Sequence, residues 1–124
     1  MSEILLNHKY YHPWGYYEYL LVEPEYRVKR ITISKDNHLS YKYHSNRDEY
    51  WTVVSGVGEI VIDEVTHNVE TGFTCSIPKK CPHAAHSNGD KLVIIETQVG
   101  QCDELDTFRI YDAYGRPHGS LIST

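Results

Sequence analysis

The sequence predicts an all-β sandwich or barrel. Short β-branched and aromatic runs recur at even spacing, Gly, Pro and Asn punctuate them, and no window keeps a 3.6-residue apolar period except weakly near 103–115. A chain of 124 residues suits one domain and can bury a real core. No internal repeat, low-complexity segment or linker divides it, so residues 1–124 are read as a single domain.

The elements follow in order. "YYEYLLV" (16–22) ends at Glu23-Pro24-Glu25. "YRVKRITIS" (26–34) alternates, with Val28, Ile31 and Ile33 read against Arg27, Lys29 and Thr32, and stops at the turn chemistry of "KDN". "HLSYKYH" (38–44) is a further run, and "EYWTVVSG" (49–56) stops at glycine. "VGEIVID" (57–63) and "THNVETG" (66–72) read as a hairpin around Glu64-Val65. "FTCSIP" (73–78), "PHAAHS" (82–87) and "KLVIIETQ" (91–98) follow, with "SNGD" as a strong turn between the last two. Residues 103–115 fit a helical turn or a strand. A small barrel that side chains do not fill leaves a pocket at its mouth, so polar residues at inward positions matter.

Net charge is −5 with His neutral, and no basic run is present, so nucleic acid is not expected as a partner. No stretch has the apolar length of a membrane span, and "MSEILLNHKYY" lacks the order of a signal peptide. Cys75, Cys81 and Cys102 are odd in number and widely spaced, which argues against a disulfide framework and for free thiols in the cytoplasm.

The chemistry concentrates in "YKYHSNRDEYW" (41–51). Strand periodicity of two points Lys42, His44 and, if the strand continues, Asn46 the same way. Glu49 follows a bend at 45–48, and His83 arrives far downstream. Paired strands bring His44, Glu49 and His83 to one point, and imidazole plus carboxylate suits Zn, Fe, Mn, Co or Ni. Other features carry plainer expectations. His8, His12, His38, His67 and His118 read as surface or hydrogen-bonded histidines. His86 is three residues beyond His83 and faces the other side of a regular strand. Cys81 reads as a buried inert thiol and Trp14 as a structural turn residue. Trp51, Val53 and Tyr41/Tyr43 fill the barrel or a dimer face. Lys79 and Lys80 read as a solvated loop or as a phosphate contact at the pocket rim.

"HPWGYYEYL", "YRVKRITI", "LSYKYHSNRDEYWTVVSG", "IPKKCPHAAHSNG" and "FRIYDAYGR" come in this order. Together they resemble the C-terminal cupin domain of the bifunctional mannose-1-phosphate guanylyltransferase/mannose-6-phosphate isomerase enzymes, the type II phosphomannose isomerases. The likeness runs from about residue 12 to 116. It implies a cupin-type antiparallel jelly-roll barrel with a divalent metal, Zn foremost, held by His44, Asn46, Glu49 and His83. The sequence departs from the family's run at Lys42, which stands where Gln is usual, and at Ser45, Asn46 and Tyr50, which replace His. Lys80 replaces the glycine of the turn before the Pro-His pair. An ammonium has no acceptor, so Lys42 cannot ligate in place of Gln. It is expected to pair with Glu49, to bind a substrate phosphate, or to act as an acid/base.

The resemblance implies an aldose–ketose isomerase interconverting mannose 6-phosphate and fructose 6-phosphate. Lys42 and His86 are then candidate acid/base groups, and Arg47, Lys79 and Lys80 candidate phosphate contacts. The alternative is a non-catalytic cupin binding a sugar or sugar phosphate, with a degenerate metal site. Neither reading expects a nucleic-acid or membrane partner. Both expect a homodimer, with residues 1–11 as an edge or swapped strand.

Overall fold

A computed structural model describes residues 3–111. Among them there is no helix, and none long and apolar enough to cross a membrane. The strands are β1 (Tyr10–His12), β2 (Gly15–Val22), β3 (Tyr26–Ser34), β4 (Tyr41–Tyr43), β5 (Arg47–Ser55) and β6 (Val57–Ile62). They continue as β7 (Val65–Glu70), β8 (Thr74–Ile77), β9 (His83–Ser87), β10 (Lys91–Gly100) and β11 (Phe108–Tyr111). One sheet has the order β1-β2-β3-β10-β5-β8 and the other β11-β4-β9-β6-β7, with every strand pair antiparallel.

The core lies between the sheets. Ile31, Ile33, Trp51, Val53, Leu92 and Ile94 from the first meet Ile60, Val69 and Ala85 from the second. Antiparallel register then turns side-chain parity into a depth scale. Ile94 pairs with Ile31 and Val53, and Glu96, two residues on, pairs with Lys29 and Trp51. Gln98 pairs with Glu49. The inward face of each central strand passes from aliphatic to polar at the same level, and one end of the sandwich becomes a buried polar cavity.

Several local expectations change. Lys29 shares the inward parity of Ile31 and Ile33 instead of opposing them, and it is buried. The hairpin turn is Asp63-Glu64, one residue earlier than expected, because Ile62 pairs with Val65. Both turn residues have positive φ (48° and 67°), as a two-residue primed turn requires, and Asp tolerates that conformation. The run 38–44 contracts to β4, with an isolated bridge joining His38 to His86. Of the 103–115 segment, Phe108–Tyr111 is a strand; the rest of "FRIYDAYGR" and His118 lie outside the described residues. Tyr10–His12 forms an edge strand on β2 of its own chain.

Candidate functional site

His44 follows β4 directly, Glu49 lies on β5 and His83 opens β9. All three are buried, and their ligand atoms lie within 4.8 Å of one another. The His44 Nδ1–H donates to the Asp106 carbonyl (2.8 Å) and the His83 Nδ1–H to the Cys81 carbonyl (3.0 Å). A carbonyl only accepts, so each Nδ1 carries a proton and each ring turns its Nε2 inward. Those Nε2 atoms stand 3.4 Å from Glu49 Oε2 and 3.4 Å from Glu49 Oε1. Burial pushes the His44 pKa down to about 3, so the ring is neutral at ordinary pH. Burial would raise the Glu49 pKa, but His83, His44 and Arg47 outweigh it and hold the carboxyl well below its usual range.

This donor set fits a divalent first-row metal. The imidazoles are oriented by backbone carbonyls, and His83 Nε2 is buried without a hydrogen-bond partner among the described residues. One feature opposes the metal: Arg47, also buried, donates from Nε to Glu49 Oε2 (2.8 Å) and from Nη2 to His44 Nε2 (3.2 Å). Arg47 lies two residues from Glu49 on one strand, so parity turns both side chains inward. The expected Lys42–Glu49 ion pair does not form among the described residues, because Arg47 takes Glu49.

Beside the cluster lies a partly open cavity of about 190 Å³. Lys29, Lys42, Arg47 and Arg109 line it together with Trp51, Glu96 and Glu104. Trp51 donates its indole N–H to Glu49 Oε1 (3.1 Å) and Glu96 Oε1 (2.9 Å), tying the cluster to the cavity wall. Gln98 Nε2 donates to the other Glu96 oxygen (2.7 Å). Burial raises the Glu96 pKa, the Glu49 charge adds to that, and Lys29 opposes it. Burial lowers the Lys42 pKa to about 8, although Glu49 and Glu96 pull it upward.

Other predicted residues lie apart from the cluster. β4 ends at Tyr43 and the chain bends, so Asn46 leaves the parity of Lys42 and His44. The Ser45 and Asn46 amides donate to the Asp106 carboxylate (3.0 and 2.8 Å), which fixes the bend. Asn46 and Lys79 line a second, open cleft with Pro24, Tyr26 and Val99. Lys80 sits in the loop before β9, where its amide donates to the His44 carbonyl (2.7 Å). His86 faces away from His83 and bonds Asn88 through Nδ1 (2.7 Å). Burial raises the Cys81 pKa, in keeping with an inert thiol.

Sequence reasoning missed Glu96, Lys29, His12 and Glu104. The first two carried a signal: each continues the inward parity of an isoleucine two residues away. His12 was expected at the surface, yet it stacks on Trp14 (5.1 Å between ring centroids) and lines the cavity. Trp14 is likewise cavity wall as well as turn. Glu104 comes from a loop, where periodicity says nothing.

Glu104 has a pH consequence. It accepts hydrogen bonds from the Tyr19 hydroxyl and from Lys29 Nζ (3.0 Å). Burial works against its charge, but Lys29 and Tyr19 hold its pKa at about 2. A folded-state pKa depressed below the unfolded value contributes stability above about pH 4.3 and loses it as pH falls toward the folded value. Glu104→Gln is therefore expected to flatten the stability profile between about pH 4 and 2, read by urea unfolding at each pH. An unchanged slope would show that the contact contributes nothing. With its side chain 42% exposed, the effect is well below that of a buried pair.

Two antiparallel sheets with a His–Glu–His cluster at one end define a cupin-type jelly roll. The architecture matches KdgF from Halomonas sp. at a TM-score of 0.71, with 16% identity, over 85% of this chain and 99% of that one. It also matches the capsular polysaccharide assembling protein CapF from Staphylococcus aureus at 0.72, with 18% identity, over 83% of this chain and 34% of that one. The chain belongs to the family described as mannose-6-phosphate isomerase C-terminal, which matches residues 1–112. That match takes in the N-terminal segment that the motif resemblance leaves out.

Among its relatives, the xanthan biosynthesis protein XanB of Xanthomonas campestris pv. campestris is 38% identical over 118 residues, 93% of this chain and 25% of that protein. The mannose-1-phosphate guanylyltransferase of Escherichia coli is 33% identical over 113 residues, 90% of this chain and 24% of that protein. The alginate biosynthesis protein AlgA of Pseudomonas aeruginosa is 35% identical over 113 residues, 89% of this chain and 24% of that protein. The chain thus spans about a quarter of the length of these relatives.

Proposed function

We propose that this domain binds a hexose phosphate in the cavity and interconverts mannose 6-phosphate and fructose 6-phosphate, in polysaccharide or nucleotide-sugar metabolism. His44, Glu49 and His83 would hold a divalent metal, with Zn the best fit to the donor set and Mn, Fe, Co or Ni also matched. The observation that carries this reading is the pair of backbone-oriented imidazoles facing one carboxylate at the wall of a cation-lined cavity. When bound, the metal supplies Lewis-acid polarisation of the sugar's carbonyl and adjacent hydroxyl oxygens.

The chain's own residues supply the rest. Glu96 is the proton carrier between C1 and C2, in preference to His86, which faces the wrong way. Burial raises its pKa and so its basicity, and Trp51 and Gln98 fix its orientation. Arg47 donates to His44 Nε2 (3.2 Å) and to the Asp103 carbonyl (3.2 Å), and a metal held by His44 would take the place of the first of these contacts. Glu96→Gln is expected to lower kcat by about 10²–10⁴-fold with metal content unchanged. A variant retaining wild-type kcat would remove Glu96 from this role.

Metal analysis with an activity assay tests the reading as a whole. The expected result is about one equivalent of divalent metal per chain and conversion of mannose 6-phosphate. Substoichiometric metal, with no conversion after added Zn or Mn, ends it. The placement of Arg47 across Glu49 and His44 favours a second reading, a metal-free domain that binds the sugar phosphate without turning it over. That reading expects stoichiometric binding of mannose 6-phosphate, unaffected by chelators.

A further inference from the structure

We propose that Lys42, with Arg109 at the cavity rim, forms an anion-binding subsite for a dianionic phosphate group. The inference rests on the hexose-phosphate reading for its ligand, and its geometry stands apart from the metal.

Lys42 is buried, and its ammonium reaches one carbonyl among the described residues, that of Ser40 at 3.3 Å. An ammonium has three donors, and a buried cation left without a counter-charge is costly. Two other cations on the wall, Lys29 and Arg47, already have carboxylate partners. Lys29 meets Glu104 at 3.0 Å and Glu96 at 3.9 Å, and Arg47 meets Glu49 at 2.8 Å. No described carboxylate lies within 4.0 Å of Lys42 Nζ.

The backbone sharpens the point. Arg109 on β11 sits directly opposite Lys42 on β4, and both line the cavity. An anion placed between the two cations would be attracted by both. Arg109 is exposed at the rim whereas Lys42 lies inside, so the pair leads from solvent to the interior. Lys42 also pairs with His83 across β4 and β9 and precedes His44 by two residues. A two-residue step along a strand is about 7 Å, a span that the carbon chain of a hexose bridges. An anion on Lys42 therefore leaves the far end of the sugar at the His44–Glu49–His83 cluster.

Calorimetric titration of the full chain with mannose 6-phosphate, mannose and inorganic phosphate tests the subsite. Wild type is expected to bind the phosphate ester at least about tenfold more tightly than mannose, with inorganic phosphate competing. Lys42→Gln and Arg109→Gln should each reduce phosphate-ester affinity by about tenfold or more and leave mannose binding unchanged. Lys79→Gln, on the other cleft, should alter neither. If both variants keep the wild-type preference for the ester, or if wild type does not distinguish the ester from mannose, the subsite is wrong. Arg109→Gln is at the rim and carries the test if Lys42→Gln fails to fold. Phosphate binding that depends on Lys42, without isomerisation, supports the subsite while overturning the isomerase reading. Isomerisation that survives both variants with unchanged KM does the reverse.

Discussion

Glu49→Gln is expected to abolish the proposed divalent-metal binding and to destabilise the metal-free protein by about 3–5 kcal/mol. The side chain is 1% exposed, yet its carboxylate accepts from Arg47 Nε and Trp51 Nε1 and faces two imidazole nitrogens. An amide of the same shape retains one acceptor oxygen and loses the charge. Arg47 then stays buried against a neutral partner, and a buried cation deprived of its counter-ion is the costly arrangement. The proposed metal site would lose its anionic ligand in the same step. Urea unfolding of chelator-treated protein reads the first effect, and metal content after gel filtration the second. A variant with wild-type stability would mean that Arg47 already has compensation elsewhere. A variant that keeps its metal would show that Glu49 is no ligand. The two outcomes are independent, so the structural and metal-binding roles are tested separately.

Gly56→Ala is expected to cost more than about 3 kcal/mol. Gly56 links β5 to β6 at φ +91°, a conformation that side chains rarely adopt. A Cβ there would lie 2.0 Å from the Lys91 carbonyl oxygen and 3.1 Å from Leu92 Cα, both backbone atoms of the central strand β10. Relief requires β10 to move, and β10 carries Glu96 and Gln98. Gly72 supplies the control: its φ is +101°, but nothing lies within 4 Å of an added Cβ. Gly72→Ala should therefore show the conformational strain alone, about 1–3 kcal/mol. Equal thermal shifts for the two variants would show that contact with β10 adds nothing.

The all-β architecture was legible because its signals are local. Alternation, β-branched runs and turn residues act within a few positions, and they placed most strands to within a residue or two. The errors came where local rules compete. Lys29 was set outside because it is charged, yet parity with Ile31 and Ile33 puts it inside. There Glu104 and Glu96 hold it charged: burial lowers its pKa, and the two carboxylates more than restore it. Asn46 was set beside His44 by a periodicity that ends where the strand ends, at Tyr43. The hairpin turn moved one residue because the strand register chose Asp63 and Glu64 for positive φ.

By itself, the sequence determined the double-sheet class, the family and the identity of His44, Glu49 and His83 as the cluster, since strand parity and motif likeness both act on chemical type and spacing. Only the tertiary structure decided how that cluster is charged. Arg47 comes to lie between Glu49 and His44, Glu96 joins through the Trp51 indole, and Lys42 is left facing Arg109. Each of these depends on which strands become neighbours and in what register. Electrostatic energy follows distances through space, and a one-dimensional pattern does not contain them.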